Sequence, residues 1–389
     1  MDDFIFQNPT KIIFGRGTEA QVGREAQAFS GKALIVFGGG SVKRTGLFDR
    51  VTASLLESGV SYLELGGVAP NPRLSLVREG IALCRKDRIG LILAIGGGSA
   101  IDSAKAIALG VPYSGDVWDF FMGKAEPKSA LPVGTILTIP AAGSEASTAS
   151  VITNEEGMLK RGFNSPLIYP SFSILNPELA FTLPKAQVAN GVADIMSHLL
   201  ERYFTNSRPV EFTDRLIEAT LRTVIDAAPR VLDKGDDYDS WAELMWAGTV
   251  AHNNLLNTGR VGDWGSHDLE HELSAAYDVA HGAGLAVVFP AWMKYVYKHD
   301  VARFAQIAAR VWGVDSLFFD LDRAALAGIS RLESYWSSIG LATRLSGLGI
   351  GTERIAEMAD KCSSGGTRTV GNFVKIGKAE AQTIYSMAQ

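Results

Sequence analysis

Residues 33–37 (ALIVF) and 91–95 (LILAI) are apolar at every position, and each run ends in three glycines, at 38–40 and 96–98. A strand with no polar face must be covered on both sides, as in a parallel sheet sandwiched between helices. Residues 135–139 form a third run, stopped by Pro140 and a turn of small residues. Between these runs, residues 47–58 and 74–86 carry helical patterning. Strand, glycine turn and helix in repetition predict a doubly wound α/β domain. After Pro184 the pattern changes. Residues 211–233, 240–256, 301–312 and 323–339 are long, amphipathic and rich in Ala and Leu, with little strand signal. The expectation is an α/β N-terminal domain over residues 1–182 and an all-α C-terminal domain over 183–389, joined near Asn176–Pro184, where two prolines bracket a short loop. A chain of 389 residues exceeds what one hydrophobic core usually organises.

A formal net charge of −5 argues against nucleic acid or an anionic membrane surface as partner. The two cysteines, Cys84 and Cys362, have no CxxC context, so neither a disulfide scaffold nor a thiolate zinc site is expected, and a reducing cytoplasm suits the chain. Asp2 and Asp3 stand where a signal peptide would be basic. No apolar run reaches the roughly 18 residues of a membrane span.

The six histidines are unevenly placed. Asp194 and His198 are four residues apart, on one helix face, with Gly191 one turn earlier. His267 and His271 repeat the spacing, and His281-Gly282 follows ten residues later, at the start of the next helix or in the turn before it. One carboxylate and three imidazoles suit a divalent first-row ion such as Fe(II), Zn(II), Mn(II) or Co(II). The bland alternative is a set of capping or core-bonding histidines. His252 and His299 lack such neighbours and read as structural.

Residues 96–105 (GGGSAIDSAK) follow a strand and open a helix, where backbone N–H groups form an anion site and glycines let a diphosphate approach. The spacing is not G-x-G-x-x-G. Lys105 reads as a helix-surface charge. In the second loop, residues 38–44 (GGGSVKR), no acid ends the strand to bond a ribose diol. Ser41, Lys43 and Arg44 there favour NADP(H) over NAD(H). A third turn, from Thr138 to Glu145, offers the hydroxyls of Thr138 and Ser144 to a nicotinamide, or is only a strand-to-loop transition.

Together these motifs resemble the iron-containing (group III) alcohol dehydrogenase family, nearly end to end. The resemblance runs through Phe14-Gly15, residues 38–41, Pro70-Asn71-Pro72, residues 96–105 and 138–145, the stretch NPELAFTLP at 176–184, residues 190–198 and residues 267–281. The loop GGGSVKRTG and Asp263-Trp264 before His267 are most similar to the NADPH-dependent aldehyde reductase and butanol dehydrogenase branch. The resemblance implies a dehydroquinate synthase-like fold, with a dinucleotide-binding α/β domain and a metal-binding helical domain. It places the metal ligands on Asp194, His198, His267 and His281, and a further site histidine on His271. Cofactor contacts would fall on Gly39, Ser41, Asn71, Gly97, Gly98, Ser99, Asp102, Thr138 and Lys160. Ala141-Ala142 departs from the family, where threonine is common.

The implied activity is hydride transfer between NADP(H), or NAD(H), and a small alcohol or aldehyde polarised by one divalent metal, Fe(II) with Zn(II) as alternative. His271 is the candidate proton relay, and a homodimer is implied. Two rival readings are a polyol dehydrogenase of the glycerol type, using NAD, and a dehydroquinate synthase-like lyase. The lyase would need basic residues for a phosphorylated acidic substrate, yet no Lys or Arg lies between His267 and His281.

Overall fold

The computed structural model describes residues 1–315 and 320–389. Its main sheet is built from β1 (Lys11–Phe14), β2 (Lys32–Phe37), β3 (Ser61–Leu65), β4 (Leu91–Gly96), β5 (Val133–Leu137) and, beyond a separate hairpin of β6 (Ala149–Asn154) and β7 (Leu159–Asn164), β8 (Phe172–Leu175). The strand order is β1-β8-β5-β4-β2-β3, and every neighbouring pair is parallel. The all-apolar runs form β2 and β4 and are buried along their length, because helices cover both faces. Numbering only helices of eight or more residues, α1 (Leu47–Glu57), α2 (Leu74–Asp87) and α3 (Gly98–Gly110) alternate with these strands.

The chain steps from β2 to β3 on one side, then crosses back to β4 and β5 on the other. Loops leaving the carboxyl ends of two strands at such a reversal diverge and leave a crevice between them. Register pairs Phe37 with Ile95 and Gly96 with Leu137. The segments beginning at Gly38, Gly97 and Thr138 therefore leave the sheet at one end.

The helical part comprises α4 (Lys185–Tyr203), α5 (Glu211–Asp233), α6 (Tyr238–His252), α7 (Gly265–Tyr277), α8 (His281–Val296), α9 (Val301–Trp312), α10 (Leu321–Ser338), α11 (Ile355–Cys362) and α12 (Lys378–Met387). The apolar periodicity locates α5 and α9 to the residue. α4 packs on α5 and α8, α7 on α8 and α11, and α9 on α10. Ile195, Met196, Leu199, Val288, Phe289 and Trp292 are fully or almost fully buried on these helices. Among the described residues, no helix is long and apolar enough to cross a membrane.

The chain forms two compact units: Gln7–Leu183 with Asp236–Asn253, and Met1–Phe6 with Pro184–Gly235 and Asn254–Gln389. This differs from a single cut near residue 183, because α6 belongs to the sheet unit. There Thr249 donates to buried Glu145 at 2.6 Å, Phe14 meets Trp246 edge-on, and the Arg16 guanidinium lies 3.6 Å from the Tyr238 ring centroid. Helical periodicity announces an apolar face and not which partner will cover it.

Candidate active site

In the sheet unit, α3 starts at Gly98, directly after β4. A Cβ on Gly97 would lie 2.9 Å from Ile139 Cβ, and one on Gly98 2.9 Å from Ala142 Cβ. Only glycine fits without a shift, and it leaves the first amides of a 13-residue helix bare. Such a cradle suits a dinucleotide diphosphate. Ser99 is half-buried beside it, as is Thr138, whose N–H bonds Gly96 O at 3.0 Å. Gly39 and Ser41 are exposed at the neighbouring loop, where Gly40, at φ 87°, turns the chain. Asn71 (φ 53°) is buried and accepts a 2.9 Å bond from Lys160 Nζ.

A second pair of expected cofactor contacts also bond each other. Ser144 Oγ donates to Asp102 Oδ1 at 2.6 Å, and Asp102 Oδ2 accepts from Val151 N–H at 2.9 Å. Both therefore brace the turn after β5. Lys105 is not a surface charge: it is fully buried and its Nζ donates to Ser144 O (2.6 Å), Ser147 O (2.8 Å) and Ala149 O (3.0 Å). Burial pushes its pKa down to about 8, against the pull of Asp102 and Glu145. A helix of an α/β layer can bury its polar face too, which an amphipathic reading misses. The basic loop also has an unforeseen partner. Lys43 is ion-paired with Glu64, near the end of β3.

In the helical unit, α4, α7 and α8 bring the donors together. Asp194, His267 and His281 each offer an atom within 4.8 Å of the others. His198 Nδ1 is 3.5 Å from Asp194 Oδ1, and its ring centroid lies 4.9 Å from that of His267. His281 is the first residue of α8. It arrives there because Gly282 lets α8 touch α4: a Cβ on Gly282 would lie 1.9 Å from Asn190 O. His271 is half-buried, its ring centroid 5.7 Å from that of His281. His252 packs against Gly143 in the sheet unit, and His299 bonds Asn206 at 2.9 Å, so neither joins the cluster.

Two carboxylates that the sequence reading did not single out aim the imidazoles. Fully buried Glu201 takes His267 Nδ1 at 2.7 Å, Ser266 Oγ at 2.6 Å and Trp264 N–H at 2.6 Å. Equally buried Glu270 takes His281 Nδ1 and Ser274 Oγ. A carboxylate on Nδ1 fixes the tautomer and leaves Nε2 as the atom that could ligate a cation. Among the described residues, His267 Nε2 is buried with no hydrogen-bond partner, and His281 Nε2 lies 3.7 Å from Asp194 Oδ1. A lone buried nitrogen facing a carboxylate and further imidazoles fits a divalent cation. The signal in the sequence is positional: Glu201 lies seven residues after Asp194 and Glu270 three after His267, on the same helix faces.

Trp264 precedes α7 with a left-handed backbone, φ 70°. A side chain in that region costs roughly 1–2 kcal/mol. Its ring centroid is 5.2 Å from that of His267 and 6.0 Å from that of His198. Fully buried Asp263 accepts N–H bonds from Gly265, Asn372 and Phe373 at 2.9, 2.8 and 2.6 Å. Burial and then the Glu201 charge push its carboxyl up to about 7.

Comparison with known proteins places this arrangement. The profile of the iron-containing alcohol dehydrogenases matches residues 9–177, and that of the C-terminal part of the same family matches residues 188–389. The chain is 43% identical over 384 residues to a probable NADH-dependent butanol dehydrogenase 1 of Bacillus subtilis, covering 99% of each. It is 35% identical to the NADPH-dependent aldehyde reductase YqhD of Escherichia coli, covering all of both chains. The crystal structure of NADH-dependent butanol dehydrogenase A from Thermotoga maritima superposes with a TM-score of 0.96 at 40% identity, over 100% of this chain and 99% of that one. Matched across nearly its whole length in sequence and in fold, the chain belongs to the iron-containing alcohol dehydrogenase family and is a metal-dependent alcohol dehydrogenase or aldehyde reductase that uses a nicotinamide nucleotide.

Proposed function

We propose that the chain reduces small aldehydes, and oxidises the matching alcohols, at one divalent ion held by Asp194, His198, His267 and His281, with Fe(II) the first candidate and Zn(II) the second. The observation that carries the reading is the buried, partnerless Nε2 of His267 directed among the other donors. When bound, the metal supplies Lewis acidity to a carbonyl oxygen and the nicotinamide nucleotide supplies the hydride. Glu201 and Glu270 hold the two imidazoles by Nδ1, so their Nε2 atoms need no reorganisation to accept an ion. In this reading His271, half-buried beside His281, passes a proton to or from solvent. The amides at Gly97, Gly98 and Ser99 receive the dinucleotide diphosphate, with Gly39, Ser41, Asn71, Thr138 and Lys160 around it. Asp102 and Ser144 act from beneath by bracing the turn.

For the nucleotide, the loop supports NADPH through exposed Ser41 and Arg44. Lys43 is already paired with Glu64, and the relatives named above include both NADH- and NADPH-dependent enzymes. The reading is use of both nucleotides, with a small NADPH advantage. A homodimer belongs to the same reading. Phe4 and Ile5 are 53% and 97% exposed, an apolar surface that a second copy would cover.

The test is an aldehyde panel with NADPH and NADH on protein stripped by chelation and reloaded with Fe(II) or Zn(II). Turnover should vanish on stripping and return on reloading, and activity retained by metal-free protein would overturn the reading. Ser41→Asp should lower the NADPH to NADH ratio in kcat/KM, and an unchanged ratio would remove the loop from nucleotide choice. Light scattering at several concentrations reads the dimer, and a monomer throughout would remove it.

A further inference from the structure

We propose that the indole of Trp264 is the wall that limits how bulky an aldehyde can be beside the donor cluster, a specificity role that rests on the metal-site reading above. Three observations converge on this residue. The first is conformational. Trp264 adopts the left-handed region at φ 70°, ψ 1°, where glycine would sit without strain. Strain of this kind persists only where the surroundings over-determine it, and it concentrates at ligand sites.

The second is the machinery that enforces it. Glu201 Oε2 accepts the Trp264 N–H at 2.6 Å, and the same carboxylate holds His267. On the other side, Asp263 gathers the N–H groups of Gly265, Asn372 and Phe373, while Asn372 Nδ2 donates to Gly262 O at 3.0 Å. The turn is thus clamped between α4 and the segment before α12. One carboxylate holds both the His267 ring and the backbone amide of Trp264, so the point from which the indole springs is fixed relative to the imidazole.

The third is where the ring lies. It is half-buried, against the rings of His267 and His198, with the buried Arg202 guanidinium 4.7 Å from its centroid. Arg202 Nη1 is itself engaged by His198 O at 2.9 Å. A flat, rigid apolar surface beside two metal donors suits an unbranched alkyl chain. It would crowd a substrate branched at the carbon next to the carbonyl.

The experiment compares wild type, Trp264→Ala and Trp264→Phe, metal-loaded and full-length, on butanal and on 2,2-dimethylpropanal. Bound metal is quantified in each, and binding of the two corresponding alcohols is titrated calorimetrically. The expected result is a rise of tenfold or more in the kcat/KM ratio of branched over unbranched aldehyde in Trp264→Ala. Trp264→Phe should give a smaller rise, and alcohol affinities should move in the same order. A ratio within twofold of wild type in a Trp264→Ala variant that keeps its metal would overturn the proposal. If that variant loses its metal, Trp264→Phe decides, and a ratio there within twofold of wild type also overturns it. His267→Ala run alongside separates the two readings: metal and activity both retained there would refute the metal site, whereas an inactive His267→Ala beside an unmoved Trp264 ratio would refute only the wall.

Discussion

At Gly98 the sheet unit offers backbone amides and empty space, whereas at His267 the helical unit offers a side-chain nitrogen aimed by a buried carboxylate. The difference follows from the ligands each unit is suited to hold. A dinucleotide is long and anionic, and is met by helix dipoles and loops from which side chains have been removed. A cation is a point charge that needs several donors in fixed directions, and helices four residues per face supply them. Substitutions should therefore fail differently in the two units, by added volume in one and by lost donors in the other.

The sharpest break of this comparison is His267→Ala or Asp194→Ala. Turnover should fall by roughly a thousandfold, the equivalent of several kcal/mol of lost Lewis-acid stabilisation. Bound metal should fall with it, while nucleotide affinity read by fluorescence titration stays near wild type. Loss of nucleotide binding in the same variants would show that the units do not divide the work. Glu201→Gln and Glu270→Gln keep every ligating atom, yet each should lower metal affinity about 10- to 100-fold, measured by competition with a chelator. Gly98→Ala is the counterpart in the sheet unit. Its methyl meets Ala142, so KM for the nucleotide should rise roughly tenfold, within the cost of overpacking, with metal content unchanged. The smallest effect is expected for Glu64→Gln, which frees Lys43. An exposed pair of this kind is worth about 0.2–1 kcal/mol, so the NADPH to NADH ratio in kcat/KM should rise by about 1.4- to fivefold.

Legibility in the sequence followed the same division. β2 and β4 were readable because strands covered on both faces are apolar throughout, and the glycines after them mark where their loops turn. Asp194, His198, His267 and His281 were legible as candidate metal donors because an acid and imidazoles recur there at helical spacing or at a helix start, and the structure brings those four side chains close to one another. Glu201 and Glu270 were not singled out, since a glutamate on a helix looks like any solvated charge until its burial is known. Lys105 failed for the same reason in reverse, read as a surface charge and found at the centre of five acceptors. Glu64 escaped because β3 lacks a continuous apolar run, so the acid beside the nucleotide loop was not connected with it. Trp264 was visible as an aromatic near the second histidine cluster, but its left-handed backbone is a tertiary property with no local code.

The placement of α6 has a consequence for how the molecule is made. The sheet is interrupted in sequence by α4 and α5 before its last helix appears. A nascent chain emerging from the ribosome has all eight strands by residue 175, yet Glu145, Phe14 and Arg16 wait for partners that come at least 104 residues after them. Until translation passes residue 252, the Glu145 carboxylate lacks its Thr249 donor, and the surface that buries Trp241, Leu244 and Met245 of α6 in the finished fold lacks its helix. A gene fragment ending at residue 183 should accordingly yield an aggregation-prone product, and the first half of this enzyme becomes a finished object only after much of the second has been synthesised.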